Sequence, residues 1–333
     1  MREVAASAGV SVGTVSNVLN APEKVAPATV QRVRRAIDDL GFVRNDAARQ
    51  LRAGRSRSVG LVVLDVGNPF FTDVARSAER AAGEQGLTVL LGTSDDDPAR
   101  ERAYIDAFDE QRVFGVLVSP IGDDLARLTA LHRRGVPVVL VDRDGTGTPF
   151  DSVAVDDVAG GRLAVEHLLA LGRRRIAFVG GPAGLRQVAD RRRGAEMAVA
   201  QIDSAELEVI DTPTLSVLAG RAAGEALHRR PRHERPDAIF CANDLLAIGV
   251  LQALTMLADV RIPDDIALIG YDDIDFAASA VVPLSSVRQP TARIGATAIE
   301  LLVTAAETSR DHRATHTVFQ PELVTRASTV GNE

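Results

Sequence analysis

The sequence contains a single cysteine, Cys241. That excludes an intramolecular disulfide framework and any metal site built from several cysteines, and it fits a reducing, cytoplasmic compartment. No apolar run approaches the roughly 18 residues that mark a membrane helix. The N-terminus, Met1-Arg2-Glu3-Val4, lacks the apolar h-region of a secretory signal, so no export is expected. Enzyme signatures are equally scarce. Gly180-Gly181-Pro182-Ala183-Gly184 is not the dinucleotide fingerprint, and neither a Walker loop nor a Gly-x-Ser-x-Gly elbow occurs. Asp142-Arg143-Asp144-Gly145 opens like a calcium loop, yet its twelfth position is Val153 rather than Glu. His312 and His316 stand i,i+4 without the Glu of a zinc protease. No catalytic residue, cofactor or metal is expected.

What is present divides in two. Residues 1–58 carry ten basic groups against five acidic ones, a balance of +5 in a chain of net charge −7, which leaves −12 on the remainder. A basic head on an acidic body is the asymmetry of a protein whose head alone meets a polyanion. The 333 residues accommodate two or three domains. In the head, Val4, Ala5 and Ala8 predict a short helix closed by Gly9, and Ser11 is placed to cap a second helix through Leu19. Pro27 suits the first turn of a third, along which Val30, Val33, Ile37 and Leu40 form an apolar stripe ending at Gly41. A further short helix is expected over 45–51, before a Gly/Arg/Ser linker.

From Ser58 onward, apolar strands alternate with amphipathic helices. Strands are expected at 59–64, 87–91, 115–119, 136–141, 176–179, 207–210, 238–241 and 266–269, with helices such as 71–85, 157–171 and 243–257. Continuous apolar strands between helices predict α/β architecture with parallel sheets covered on both faces. Eight such units favour two similar lobes over one large sheet, although pattern alone allows both. Pattern alone also leaves the pair of short helices around Gly9-Val10-Ser11 open, as an ordinary helical hairpin or a helix-turn-helix. In its second helix Ser11, Gly13, Thr14, Ser16 and Asn17 are small or polar, while Val15 and Val18 face a core.

Specific motifs narrow the choice. The run from Ala5-Ala6-Ser7-Ala8-Gly9 through Asn17-Val18-Leu19-Asn20 resembles the headpiece of the lactose/galactose-repressor (LacI/GalR) family. The resemblance continues through Leu40-Gly41-Phe42-Val43-Arg44-Asn45, Gly67-Asn68-Pro69-Phe70-Phe71, Pro137 to Arg143, Asn243-Asp244 and Gly270-Tyr271-Asp272-Asp273, in family order over nearly the whole chain. It implies a DNA-binding headpiece over 1–44, a hinge helix and linker over 45–57, and a two-lobed periplasmic-binding-protein-like (type I) core over 58–333. The first lobe would comprise about 58–156 and 289–313, the second about 157–288 and 314–328. On the recognition helix Val12, Gly13 and Asn17 match base-reading positions, with Ser11, Thr14 and Ser16 beside them. Asn45, Ala48 and Leu51 match the hinge helix, where leucine wedges into the minor groove. Phe70, Phe71, Asp142, Arg191, Leu215, Asn243, Asp272 and Gln289 match effector-contact positions, five of them polar and at the carboxyl ends of strands, where α/β sheets bind ligands.

Three departures from the family pattern stand out. The chain starts close to its first helix, Ala26 replaces a capping serine, and Leu215 replaces the aromatic that several sugar-responsive members carry. The implied function is a transcriptional regulator, a repressor, that binds operator double-stranded DNA as a homodimer under control of a small-molecule effector, sugar-like or another metabolite. A solute-binding receptor for a transporter is the rival of shared fold, but it needs export. A sugar-processing enzyme is the third reading, and it lacks a catalytic constellation. The last residues contain no leucine heptad, so a dimer rather than a tetramer is expected.

Overall fold

The chain divides into two units between Ser56 and Arg57. The structure is a computed structural model that describes residues 1–42, 56–182, 184–256, 260–308 and 312–331. The expected hinge helix, with Asn45, Ala48 and Leu51, lies outside the described residues.

The first unit contains α1 (Arg2–Ala8), α2 (Val12–Asn20) and α3 (Pro27–Asp39). Gly9 stops α1 at φ 60°. The Val10 N–H then reaches back to the Ala5 carbonyl at 3.0 Å and the Gly9 N–H to Ala6 at 3.3 Å. This pair of bonds requires a left-handed residue, which glycine adopts without a Cβ clash. Val4, Ala5, Ala8, Val15, Val18, Val33 and Ala36 share one small core. The expected stripe on α3 is buried mainly at Val33; Leu40 is 47% exposed, because it is the residue at which the helix ends.

Ala26 precedes α3 and offers no side-chain cap, which leaves early N–H groups of that helix without the acceptor a hydroxyl supplies. Ala26→Ser is expected to stabilise the headpiece by about 1 kcal/mol. Slower hydrogen exchange of the α3 amides in the variant would show the gain, and unchanged exchange would rule it out.

The second unit holds two six-stranded sheets. The first runs β11-β5-β4-β3-β1-β2 and is parallel throughout. Its strands are β1 (Ser58–Val63), β2 (Thr88–Thr93), β3 (Gly115–Val118), β4 (Val138–Val141), β5 (Asp151–Val155) and β11 (His316–Phe319). The second runs β12-β10-β9-β8-β6-β7, parallel except where β12 pairs antiparallel with β10. It is built from β6 (Arg175–Gly180), β7 (Glu206–Asp211), β8 (Ala238–Cys241), β9 (Ala267–Asp272), β10 (Ser285–Arg288) and β12 (Glu322–Val324). Central strands such as β3, β4 and β8 are buried along their whole length, as the continuous apolar runs require.

The chain crosses between the lobes after β5, after β10 and after β11. The last crossing corrects the expected boundary. Residues 314–328 were assigned to the second lobe, but His316–Phe319 pairs with β5 in the first sheet, register Phe319 to Val155. Only from Glu322 does the chain join the second sheet. The β10 strand, which opens with Ser285-Ser286, was not among the expected apolar runs. Its hydroxyls are satisfied inside: Ser286 Oγ donates to Asp244 Oδ1 at 2.7 Å and Ser285 Oγ to the Arg326 carbonyl at 3.0 Å.

Candidate functional site

In the first unit, Ser11 caps α2: its Oγ accepts from the Thr14 N–H at 3.1 Å. With Val15 and Val18 buried, helical geometry turns Ser11, Val12, Gly13 and Asn17 to solvent, while Thr14 and Ser16 are half-buried. Val12 is a large apolar side chain that remains 44% exposed, as a surface for thymine methyl contact would. Asn20 Nδ2 donates to the Ser16 carbonyl at 2.8 Å and its Oγ at 3.2 Å, which engages that hydroxyl within the helix. The amino end of α2 and the exposed Asn17 amide form a surface that suits phosphate and base edges.

In the second unit, an interlobe cleft of about 370 Å³ opens at the carboxyl ends of β1, β2 and β8. Phe71, Leu215 and Asn243 line it together with Asn68, Asp65 and Asp96. Asn68 caps the helix Pro69–Glu84 through Oδ1, which accepts from the Phe70 N–H at 3.0 Å. Its amide group donates across the lobes to Asp272 Oδ2 at 3.1 Å. Phe70 is not part of the wall: it is 2% exposed in the core and meets Phe71 edge to face at 4.9 Å. Asn243 accepts from the Leu246 N–H at 2.9 Å and donates to the Leu215 carbonyl at 3.2 Å, so the cleft edge is tied to the helix Asp244–Met256.

Behind the cleft lies a buried polar network. Arg191 Nε donates to Asp157 Oδ1 at 2.8 Å and Nη1 to the Ala242 carbonyl at 2.8 Å, with Asp272 Oδ1 at 3.9 Å. Its guanidinium stacks 3.8 Å from the centre of the Tyr271 ring. Gln289 Nε2 donates to Asp272 Oδ1 at 2.8 Å. A Cβ on Gly161 would stand 2.0 Å from the Arg191 carbonyl, so only glycine lets the helix Asp157–Ala170 press against the backbone that carries this arginine. Asp142 and Asp272 sit at φ 59° and 105°, a region disfavoured for side chains other than glycine. Such strain persists where surrounding bonds over-determine it, and it concentrates at ligand sites.

Burial pushes the Asp272 carboxyl up to about 6, partly offset by the Arg191 charge. Burial, reinforced by Asp157, pushes Asp142 up to about 8. Burial works against the charge on Arg191, but the Asp157 carboxylate and its neighbours outweigh it and hold the guanidinium protonated.

The eight expected effector residues therefore do not form one wall. Phe71, Leu215 and Asn243 line the cleft; Asp272, Arg191 and Gln289 form the network behind it; Asp142 lines a different recess; Phe70 belongs to the core. Asn68, Asp157 and Tyr271 join the network without having been expected there, and Gln187 joins Asp142 in the other recess. A signal existed for Asn68, in the Gly67-Asn68-Pro69 motif, but its hydrogen bond to Asp272 spans 204 positions and no local pattern encodes it.

A helix-turn-helix unit joined to two α/β lobes with a polar cleft between them defines an effector-controlled, DNA-binding transcriptional regulator. The chain belongs to the LacI family. Residues 1–45 match the model of bacterial regulatory proteins of the lacI family, and residues 165–329 match the periplasmic binding protein-like domain. The chain is 32% identical to the HTH-type transcriptional repressor PurR of Aliivibrio fischeri (strain MJ11), over 98% of this chain and 97% of that protein. It is 33% identical to the HTH-type transcriptional regulator DegA of Bacillus subtilis (strain 168), again over 98% and 97%. The crystal structure of the lac repressor dimer bound to operator and the anti-inducer ONPF superposes with a TM-score of 0.83 at 25% identity, covering 98% of this chain and 97% of that one.

Proposed function

We propose that the chain is a cytoplasmic homodimeric repressor without enzymatic activity, whose operator affinity changes when an uncharged, sugar-like solute occupies the interlobe cleft. The lining of that cleft carries this reading. Asp65, Asp95 and Asp96 supply carboxylates and Asn68 and Asn243 supply amides, set against the apolar Phe71 and Leu215, and no basic residue is among them. Carboxylates and amides match adjacent hydroxyls, whereas an anionic solute would meet only like charge. Leu215 in place of an aromatic removes a stacking platform, so recognition rests on hydrogen bonds. A solute that contacts both lobes favours the lobe arrangement it fits, and operator affinity follows that population. The cytoplasmic assignment is supported by the lone, buried Cys241 and by the lack of any helix, among the described residues, long and apolar enough to cross a membrane. The homodimer follows from the two half-sites such headpieces read. Asn45, Ala48 and Leu51 are assigned the minor-groove contact.

A thermal-shift comparison of neutral sugars with their phosphate esters tests the cleft chemistry. Stabilisation by the neutral forms alone is expected, and a preference for the phosphates would overturn it. On the DNA side, Asn17→Ala should weaken operator binding about tenfold to a hundredfold, the worth of one bidentate base contact. Binding to random DNA should stay unchanged, because no charge is lost. Equal losses on both in a gel-shift titration would remove Asn17 from base reading.

A further inference from the structure

Asp273 follows Asp272 directly, and the two stand in the left-handed region at φ 56° and 105°. Consecutive residues other than glycine keep such angles only where surrounding contacts over-determine the backbone. The contacts of Asp272 belong to the effector network, whereas those of Asp273 come from β10 and from the end of the chain. The Asp273 carboxylate, 4% exposed, accepts from Arg288 Nε at 2.7 Å and from Arg326 Nη1 at 2.6 Å. Its N–H donates to Ser286 Oγ at 3.0 Å. Arg288 is 49% exposed, so water weakens its hold. Arg326 is 19% exposed and also donates to the Leu284 carbonyl at 2.8 Å.

Arg326 does not need its side chain to stay in place. Ser285 Oγ accepts from the Arg326 N–H at 2.7 Å and donates to its carbonyl at 3.0 Å. Ser328 Oγ donates to the Leu268 carbonyl at 2.6 Å and accepts from the Ser285 N–H at 2.7 Å. The Thr329 hydroxyl meets His167 Nε2 at 2.9 Å. These bonds fasten the end of the chain to the second sheet, and the guanidinium is left to grip the turn that carries Asp272.

We propose that Arg326 is a positioning residue for the effector network: through Asp273 it holds the strained turn after β9, so that Asp272 reaches Asn68 across the lobes. The assignment rests on the effector reading of the cleft and adds to it a residue outside the cleft lining. Without the ion pair, the turn relaxes toward ordinary negative φ. Rotation of that backbone carries the Asp272 carboxylate away from Asn68 Nδ2, now at 3.1 Å, and from Gln289 Nε2, now at 2.8 Å. A solute in the cleft then meets a carboxylate out of place, and its hold on the two lobes weakens.

The test is a double-variant cycle on the full chain, read by urea unfolding with no solute present. Asn68→Ser keeps a hydroxyl to cap its helix and removes the amide that reaches Asp272. In wild type this change should lower stability. Arg326→Gln already breaks the interlobe bond, so Asn68→Ser should have less than about half its wild-type effect in that background. Asp273→Asn, which tolerates positive φ and loses only the charge, should behave in the same way, and Arg326→Lys should restore most of the Asn68→Ser effect. Additive losses would show that Arg326 merely fastens the chain end, and they would overturn the proposal. So would an Asn68→Ser variant as stable as wild type, since no interlobe bond is then being held. Neutral pentoses or hexoses that stabilise wild type in a thermal shift should bind Arg326→Gln about tenfold more weakly, and unchanged affinity would also count against the assignment. If none of these sugars stabilises wild type, the cleft reading fails, while the solute-free cycle still decides the role of Arg326.

Discussion

Arg191→Met is expected to destabilise the second unit by about 3–5 kcal/mol, because it removes one partner of a buried ion pair and strands the other. Asp157 has only 9% of its side chain exposed, and the Arg191 Nε at 2.8 Å is its closest charge partner. Methionine has a similar length and can lie on the Tyr271 ring, so lost packing contributes little. The double variant Arg191→Met/Asp157→Asn should recover a large part of the deficit, since no charge is then left in the interior. Burial already raises the Asp157 pKa, with Arg191 opposing that rise. Without the arginine the carboxyl binds its proton more tightly in the folded state than in the unfolded chain. The penalty of the single variant should therefore shrink as pH falls and grow as pH rises. Urea unfolding of wild type and both variants at mildly acidic and neutral pH measures all of this. A single variant as stable as wild type at neutral pH would mean that Asp157 is protonated in the native protein and that the pair carries no net charge separation. A double variant no better than the single one would assign the loss to packing against Tyr271.

Asp272→Ala should make the regulator blind to its effector while leaving effector-free operator binding intact. Asp272 Oδ2 accepts from Asn68 and Oδ1 from Gln289, so this carboxylate joins the first lobe to the second at the back of the cleft. Charge-assisted hydrogen bonds contribute roughly 1.5–3 kcal/mol each, so apparent effector affinity should fall about tenfold to a hundredfold. The residues proposed to read bases all lie in the other unit, which is why DNA binding is expected to survive. Alanine at φ 105° carries its own strain, and Asp272→Asn separates charge from backbone: it should lose the response with a smaller loss of stability. The pH profile gives an independent check. Burial raises the Asp272 pKa from 3.8 to about 6. Its contribution to stability is therefore complete below the unfolded value and is lost as pH rises through about 6, a slope that Asp272→Asn should remove. Wild-type effector response in a gel shift with Asp272→Ala would displace the proposed site.

The local features of this protein were legible in its residues because they are decided within a turn or a strand. Ser11 caps α2 and Gly9 closes α1 through bonds no more than five residues apart. Val15 and Val18 turn inward because helical spacing gives them one face, and runs such as Val138–Val141 become central strands because nothing polar interrupts them. The carboxylates that follow β4 and end β9 could be picked out as ligand candidates for the same reason: their place at a strand end is a local property.

Tertiary contacts decided the rest. Phe70 and Phe71 are indistinguishable as neighbours in sequence, and both are buried in the core, yet only Phe71 also reaches the cleft, since the packing of their helix against the first sheet sets which ring borders it. Asp142 and Asp272 both match effector positions, but they serve separate recesses, because the helix carrying Gln187 reaches Asp142 while Asn68 and Gln289 reach Asp272. His316–Phe319 is a four-residue stretch whose own composition does not name its sheet; it joins the first lobe because the free edge of β5 offers unpaired backbone groups there. Ser285 and Ser286 become a buried strand only because Asp244, Arg326 and Thr329, all distant in the chain, bind their hydroxyls. Caps, periodicities and strand ends follow from neighbours along the chain, whereas the partner of each buried charge depends on which distant segments the fold brings within hydrogen-bond reach.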